Sequence, residues 1–150
     1  MNLEVPWHPI IVHMPITLSL LVPLIFITTL IGIRKKNWPY KSWVVPVVFQ
    51  IVLFLSALLA MKTGEKEEDV VENVVAREII HEHEEWGERM VWYQGAVLAL
   101  STMTLLFPGR IRLKKLVSAA SVFGVAVGVL TGHSGGQLVY KYNAGKAYLK

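Results

Sequence analysis

Residues 8–33 read HPIIVHMPITLSLLVPLIFITTLIGI, without an Asp, Glu, Lys or Arg among them. A helix needs about 20 mostly apolar residues to cross the hydrocarbon core of a bilayer. The stretch therefore predicts a transmembrane helix over Ile10 to Ile33. Three further runs repeat the pattern: Trp43 to Met61, Met90 to Phe107, and Leu116 to Thr131, the last continuing uncharged to Tyr140. Lipid offers backbone N–H and C=O groups no partner, so only helices and closed barrels span it. The runs are too long and too evenly apolar for barrel strands. Residues 1–150 thus read as a single all-α transmembrane four-helix domain, and no linker is long enough to set off a second.

Of the 150 residues, 53% are hydrophobic and none is cysteine. Disulfides, thiolate catalysis and Cys-ligated metal centres are excluded. Met1 to Trp7 carries no basic cluster, so a cleaved signal peptide is not expected. The net charge of +4 does not point to nucleic acid, because of where the charges fall. Arg34, Lys35, Lys36 and Lys41 lie between the first two runs, and Arg110, Arg112, Lys114 and Lys115 between the last two; neither connection holds an acid. The eleven acids are Glu4 and ten residues between Glu65 and Glu88. Basic connections stay in the cytoplasm. The expected arrangement is an up-and-down bundle with both termini outside, in the cytoplasmic (inner) membrane of a prokaryote, and the basic residues read as ordinary topology determinants.

This orientation collects the histidines on one side. His8 and His13 open the first helix, His81 and His83 precede the third apolar run, and His133 closes the fourth helix. From about Val70 to Glu88 the chain keeps helical period: Ile79, His83, Met90, Gln94, Val97 and Ser101 recur at three- and four-residue steps and share a face. The third helix is therefore expected to project beyond the membrane as a continuous rod. His81, about 200° from His83 on a 3.6-residue helix, falls in water with Glu84, Glu85 and Glu88. In the fourth helix Ala120, Gly124, Gly128 and Gly132 form a small-residue ridge suited to close helix packing. Gly132, Gly135 and Gly136 surround His133 and signal either a helix end or close approach of a flat ligand.

Three helices thus bring His8, His13, His83 and His133 to one layer. Ionisable groups near membrane depth are costly and mark function more often than packing. Haem b takes two axial imidazoles from facing helices, with Arg77, Arg89 or Lys141 placed to meet its propionates. Copper or zinc would use the same residues, although the spacing matches no zinc signature. A proton path would need charged residues deeper in the bilayer. Ser134 beside His133 is not a catalytic triad.

The segments HPIIVHMPITLSLL at 8–21, TG at 63–64, EHEEWGE at 82–88 and TGHSGGQLVYKYNAGKA at 131–147 together resemble a prokaryotic family of small four-helix membrane proteins, the DUF2231-type family. The resemblance spans nearly the whole chain and implies a four-helix inner-membrane domain. It carries over His8, His13, His83 and His133 as pattern histidines, without His81, and implies no particular activity. The layout is similar to b-type membrane cytochromes, as an analogy of architecture.

The resulting expectation is a haem b-binding electron-transfer protein, with one or two haems on the outer side, serving as an electron carrier or redox subunit rather than a stand-alone enzyme. His13 and His133 are expected in an axial pair, with His8 and His83 as a second pair or as orienting groups, and with Gly132, Gly135 and Gly136 beside the cofactor. Expected partners are the lipid bilayer and a quinone or soluble redox protein, with no nucleic acid. The rivals are a histidine-bound copper or zinc protein and a cofactor-free anchor subunit of a larger complex or homodimer.

Overall fold

Proline shapes the entry of the first apolar run. Pro9 occupies the first turn of α1 (His8–Ile11), where a missing N–H costs nothing. Pro15 has no amide to offer the Ile11 carbonyl, and α1 gives way at Val12 to α2 (His13–Lys35). Val12 itself keeps helical dihedrals, so the two pieces run on as one stretch. In the computed structural model, which describes residues 6–149, a 3₁₀ turn at Tyr40–Trp43 leads to α3 (Val44–Val71). Then follow α4 (Arg77–Leu106), α5 (Ile111–Tyr140) and a closing 3₁₀ turn at Ala144–Tyr148. Chain neighbours among α2 to α5 touch, and α5 returns to α2.

Among the described residues, three stretches are long and apolar enough to cross a membrane: His8–Lys35, Tyr40–Val71 and Ile111–Tyr140. The sequence led us to expect a fourth in α4. Its apolar half starts after Arg89 and ends with the helix at Leu106, one residue short of an 18-residue span, and Gln94, Ser101, Thr102 and Thr104 leave it less apolar than the other three.

The bundle has an apolar core that includes Val22, Phe26, Trp43, Leu53 and Val117, yet its outer surface is apolar too and polar side chains are buried with the core. Leu20, Leu24, Leu55, Leu59, Phe123 and Val129 are exposed, while Ser19, Thr29, Gln50, Gln94, Ser101 and Ser121 are buried. Apolar surface has nothing to gain by hiding from lipid, whereas a polar side chain must find a partner inside. Most buried hydroxyls bond the helical turn behind them, as Ser19 does to the Ile16 carbonyl at 2.7 Å. Bonds between helices are fewer: the Tyr93 hydroxyl donates to the Ala120 carbonyl at 2.7 Å, the Thr131 hydroxyl to the Trp86 carbonyl at 3.0 Å, and in the core Gln50 Nε2 donates to Gln94 Oε1 at 2.9 Å and to the Gln94 carbonyl at 3.1 Å.

The glycine ridge of α5 packs within the chain. A Cβ at Gly124 would lie 3.1 Å from Gln94 Nε2, and one at Gly128 would lie 2.7 Å from Ser19 Oγ. Only glycine lets α4 and α2 come this near.

Two expectations are corrected. α3 continues ten residues past Met61, and the helix read from about Val70 starts at Arg77 instead. The break between them is made by Asn73, whose side-chain amide donates to the Asp69 carbonyl at 2.8 Å and to the Val70 carbonyl at 3.1 Å, closing α3. His133 does not end the last helix: α5 runs on to Tyr140. No glycine among the described residues has positive φ, so the Gly132–Gly136 cluster is not a helix end.

Leucine at position 94 would remove the Oε1 acceptor of the buried Gln50 amide and leave it only the main-chain carbonyl of residue 94. Q94L is expected to lose about 1–2 kcal/mol of stability, and Q50L/Q94L to recover part of it; thermal unfolding of the detergent-solubilised variants provides the comparison.

Candidate functional site

The end of the molecule where α1 and α4 begin and α3 and α5 finish gathers the polar groups. His8 projects from α1 onto the last turns of α3. Its Nδ1 lies 2.8 Å from the Ala60 carbonyl and 3.4 Å from Thr63 Oγ1. A carbonyl can only accept, so Nδ1 carries the proton, and the neutral ring keeps its lone pair on Nε2. His83 projects from α4 onto α5, with Nδ1 2.8 Å from Ser134 Oγ. The Ser134 hydroxyl donates its own hydrogen to the Thr131 carbonyl at 2.8 Å, so it accepts from His83 Nδ1–H, and again Nε2 keeps the lone pair. The two rings meet edge to face, 6.0 Å between centroids.

Glycine makes room for both. A Cβ at Gly64 would stand 3.2 Å from His8 Cε1, and one at Gly135 would stand 3.0 Å from His83 Cε1. Gly135 is thus an approach point, though for an imidazole rather than a flat ligand. Gly132 faces Ile16, and Gly136 has open space.

Glu67 ties the site together. Its Oε1 accepts from the Trp7 and His8 amides at 2.7 and 3.0 Å, capping the N-terminus of α1 with a negative charge that the helix dipole favours. Its Oε2 accepts from the Tyr148 hydroxyl at 2.8 Å, so the closing turn is latched onto the same carboxylate. Burial first, and then the Glu67 hydrogen bond and charge, hold the Tyr148 phenol protonated well beyond its ordinary range. Sequence reasoning passed over Glu67 because it sits in an acidic run, LysGluGluAsp at 66–69, where solvation is the ordinary reading. Only the 60- and 81-residue separations of its partners reveal the role.

The other expected residues stand apart. His81 is exposed and leans on Glu84 at 3.4 Å. His13 is exposed. His133 is exposed too, accepting at Nε2 from the Gln137 amide at 2.9 Å; it shares an open groove on α5 with Gly136 and Tyr140. Arg77 pairs with Glu72 at 3.3 Å and Arg89 with Glu85 at 2.7 Å, so both arginines already have partners. Among the described residues no group of three or more His, Asp or Glu side chains is assembled for a metal ion. The structure therefore joins His8 with His83, and does not join His13 or His133 to them.

The family model described as a predicted membrane protein, DUF2231, matches residues 4–147. The chain belongs to the DUF2231 family. No curated protein and no solved structure matches it.

In this DUF2231 chain, burial, and secondarily the neighbouring His8, push the His83 imidazole down to about 4 from 6.5. The unfolded chain then takes up a proton near pH 6.5 while the folded one stays neutral to about pH 4, so stability is full above 6.5 and is lost as pH falls through that window. The shift corresponds to at most about 3 kcal/mol. The expected outcome is a melting temperature that drops between pH 6.5 and 4 in the native chain and drops less steeply in H83Q. Parallel curves for the two would show that His83 is not held neutral.

Proposed function

We propose that the protein is a haem b-binding electron-transfer protein with His8 and His83 as its axial pair. One observation carries the reading: imidazoles from two helices meet edge to face with their Nδ1–H groups anchored, and among the described residues neither Nε2 has a hydrogen-bond partner. Anchoring of the distal ring nitrogen is the usual outer-shell support of a metal-bound imidazole. The rings stand 6.0 Å apart between centroids, near enough for one group to be shared by both. His8 and His83 would hold the iron through these Nε2 nitrogens, and bound haem would supply one-electron transfer.

The chain's own residues have definite parts in this reading. The Ala60 carbonyl and Ser134 select the tautomers. Glu67 fixes where α1 starts, and with it the direction of His8. A depressed His83 pKa keeps that ring neutral, the form that ligates. His13 and His133, both exposed, take no axial role. In this reading the apolar half of α4 crosses the bilayer as a fourth, less apolar span held against α3 and α5, so the acid-rich end faces outward from the inner membrane of a prokaryote and both basic connections face the cytoplasm, in an up-and-down bundle whose α4 begins beyond the lipid. A quinol or a soluble redox protein meets the histidines at that outer face.

A bare copper or zinc ion is the second reading, favoured by the same two free nitrogens. It would need solvent to complete its shell, because no third ligand is assembled among the described residues. The anchor and homodimer readings draw less support, since the glycine ridge is already occupied by side chains of the same chain.

The deciding experiment is a reduced-minus-oxidised visible spectrum of detergent-purified protein expressed with ample haem. A sharp alpha band is expected, absent in H8A and H83A and retained in H81A. A flat spectrum would overturn the haem reading, and elemental analysis of the same sample would then test for a bound metal. Orientation is checked separately, because a chain without cysteine accepts single labels cleanly. E68C in intact cells is expected to react with an impermeant maleimide and K36C is not; the opposite pattern would invert the proposed topology.

A further inference from the structure

The basic end of the molecule holds a side chain that differs from the other topology-setting cations. Lys114, in the first turn of α5, is 1% exposed. Its ammonium has three N–H donors but among the described residues meets a single hydrogen-bond acceptor, the Pro108 carbonyl at 3.0 Å, and lies 5.2 Å from the centre of the Trp43 ring. Among the described residues no carboxylate comes within ion-pair distance of it. Arg110, Arg112 and Lys115 surround it in sequence, and the positive end of the α5 dipole adds to their potential. A buried charge without a counter-charge is expensive, and most such groups are paired.

Next to Lys114 lies a recess of about 290 Å³ between the start of α3 and the end of α4, lined by Tyr40, Lys41, Trp43, Thr104, Pro108 and Lys114. Trp43 contributes a second, independent sign of an incomplete site: its indole Nε1 is buried and has no acceptor. Lys41 and Tyr40, both exposed, stand at the mouth. Exposed Val44 and Leu105 complete the lining with apolar surface, on helices at membrane depth. A free phosphate would leave that surface unused, whereas a phospholipid would cover it with its acyl chains while its phosphate met the lysines. Basic pockets between helices at a membrane face recognise anionic headgroups in this way.

We propose that the recess between α3, α4 and Lys114 binds the phosphate of an anionic phospholipid. The site is at the opposite end from the histidines and is independent of what they hold.

The test is thermal unfolding of the full chain in neutral detergent with added phosphatidylglycerol, phosphatidylcholine or inorganic phosphate. Phosphatidylglycerol is expected to raise the melting temperature by several degrees, and the other two to have little effect. K114M should lose that rise while remaining at least as stable without lipid, because burial of a methionine carries no ionic desolvation cost. Should K114M not fold, K41Q, altered only at the exposed mouth, is expected to fold and to show a smaller rise. Native mass spectrometry of the unaltered chain should find phosphatidylglycerol retained in preference to phosphatidylcholine. An equal response to phosphatidylcholine, or a full response in K114M and K41Q, would overturn the site. A match between inorganic phosphate and phosphatidylglycerol would overturn the lipid and leave a soluble anion.

Discussion

A backbone that enters lipid must satisfy its N–H and C=O groups within itself, and the rest of this molecule follows from that constraint. It makes the chain helical nearly end to end. It also governs the side chains, because a hydroxyl or amide placed between helices has no water to turn to. Ser19, Ser56, Ser101, Ser118 and Ser121 each bond a carbonyl on the preceding turn of their own helix. Glutamine cannot curl back so closely, and Gln50 and Gln94 bond across helices instead. That interhelical bond pins α3 to α4 at a depth where apolar packing alone would let them slide.

The same rule explains how the two ends differ. At the acidic end the chain can afford charged and polar groups, and it spends them on holding two imidazoles. Glu67 links α1, α3 and the closing turn, and the Ala60 carbonyl and Ser134 hold the rings of His8 and His83. At the basic end the aromatic residues do the joining. Phe26 and Trp43 pack at a tilt with ring centroids 5.2 Å apart, Trp38 lies over Gly32, and Lys114 is drawn in beneath Trp43. Trp43 is itself a core residue.

Much of the histidine geometry was legible as periodicity. Helical spacing placed His83 with Met90, Gln94, Val97 and Ser101, and the last four are all buried on one face of α4. The same spacing put His81 in solvent, where 68% of its side chain is exposed. Spacing says nothing, however, about rotation of a short entry helix against its neighbours. His8 and His13, five residues apart, face differently, and only the contact of α1 with α3 turns His8 inward. The glycines near His133 were visible as a cluster, but Gly135 serves His83 from the facing helix, a relation no local pattern encodes.

By itself the sequence determined the membrane class, the all-helical backbone, the segregation of charge to two ends and the gathering of histidines at the acidic one. Those properties depend on composition and on periods of three to four residues, which local physics sets. Tertiary structure alone decided that His8 pairs with His83, that Glu67 is a tie between three segments rather than one solvated acid among many, and that Lys114 is buried while its basic neighbours are not. Each depends on the rotation and depth of one helix against another. That is settled by the glycines that allow close approach and by the few polar groups that must find partners across the interface, both acting between residues far apart in the chain.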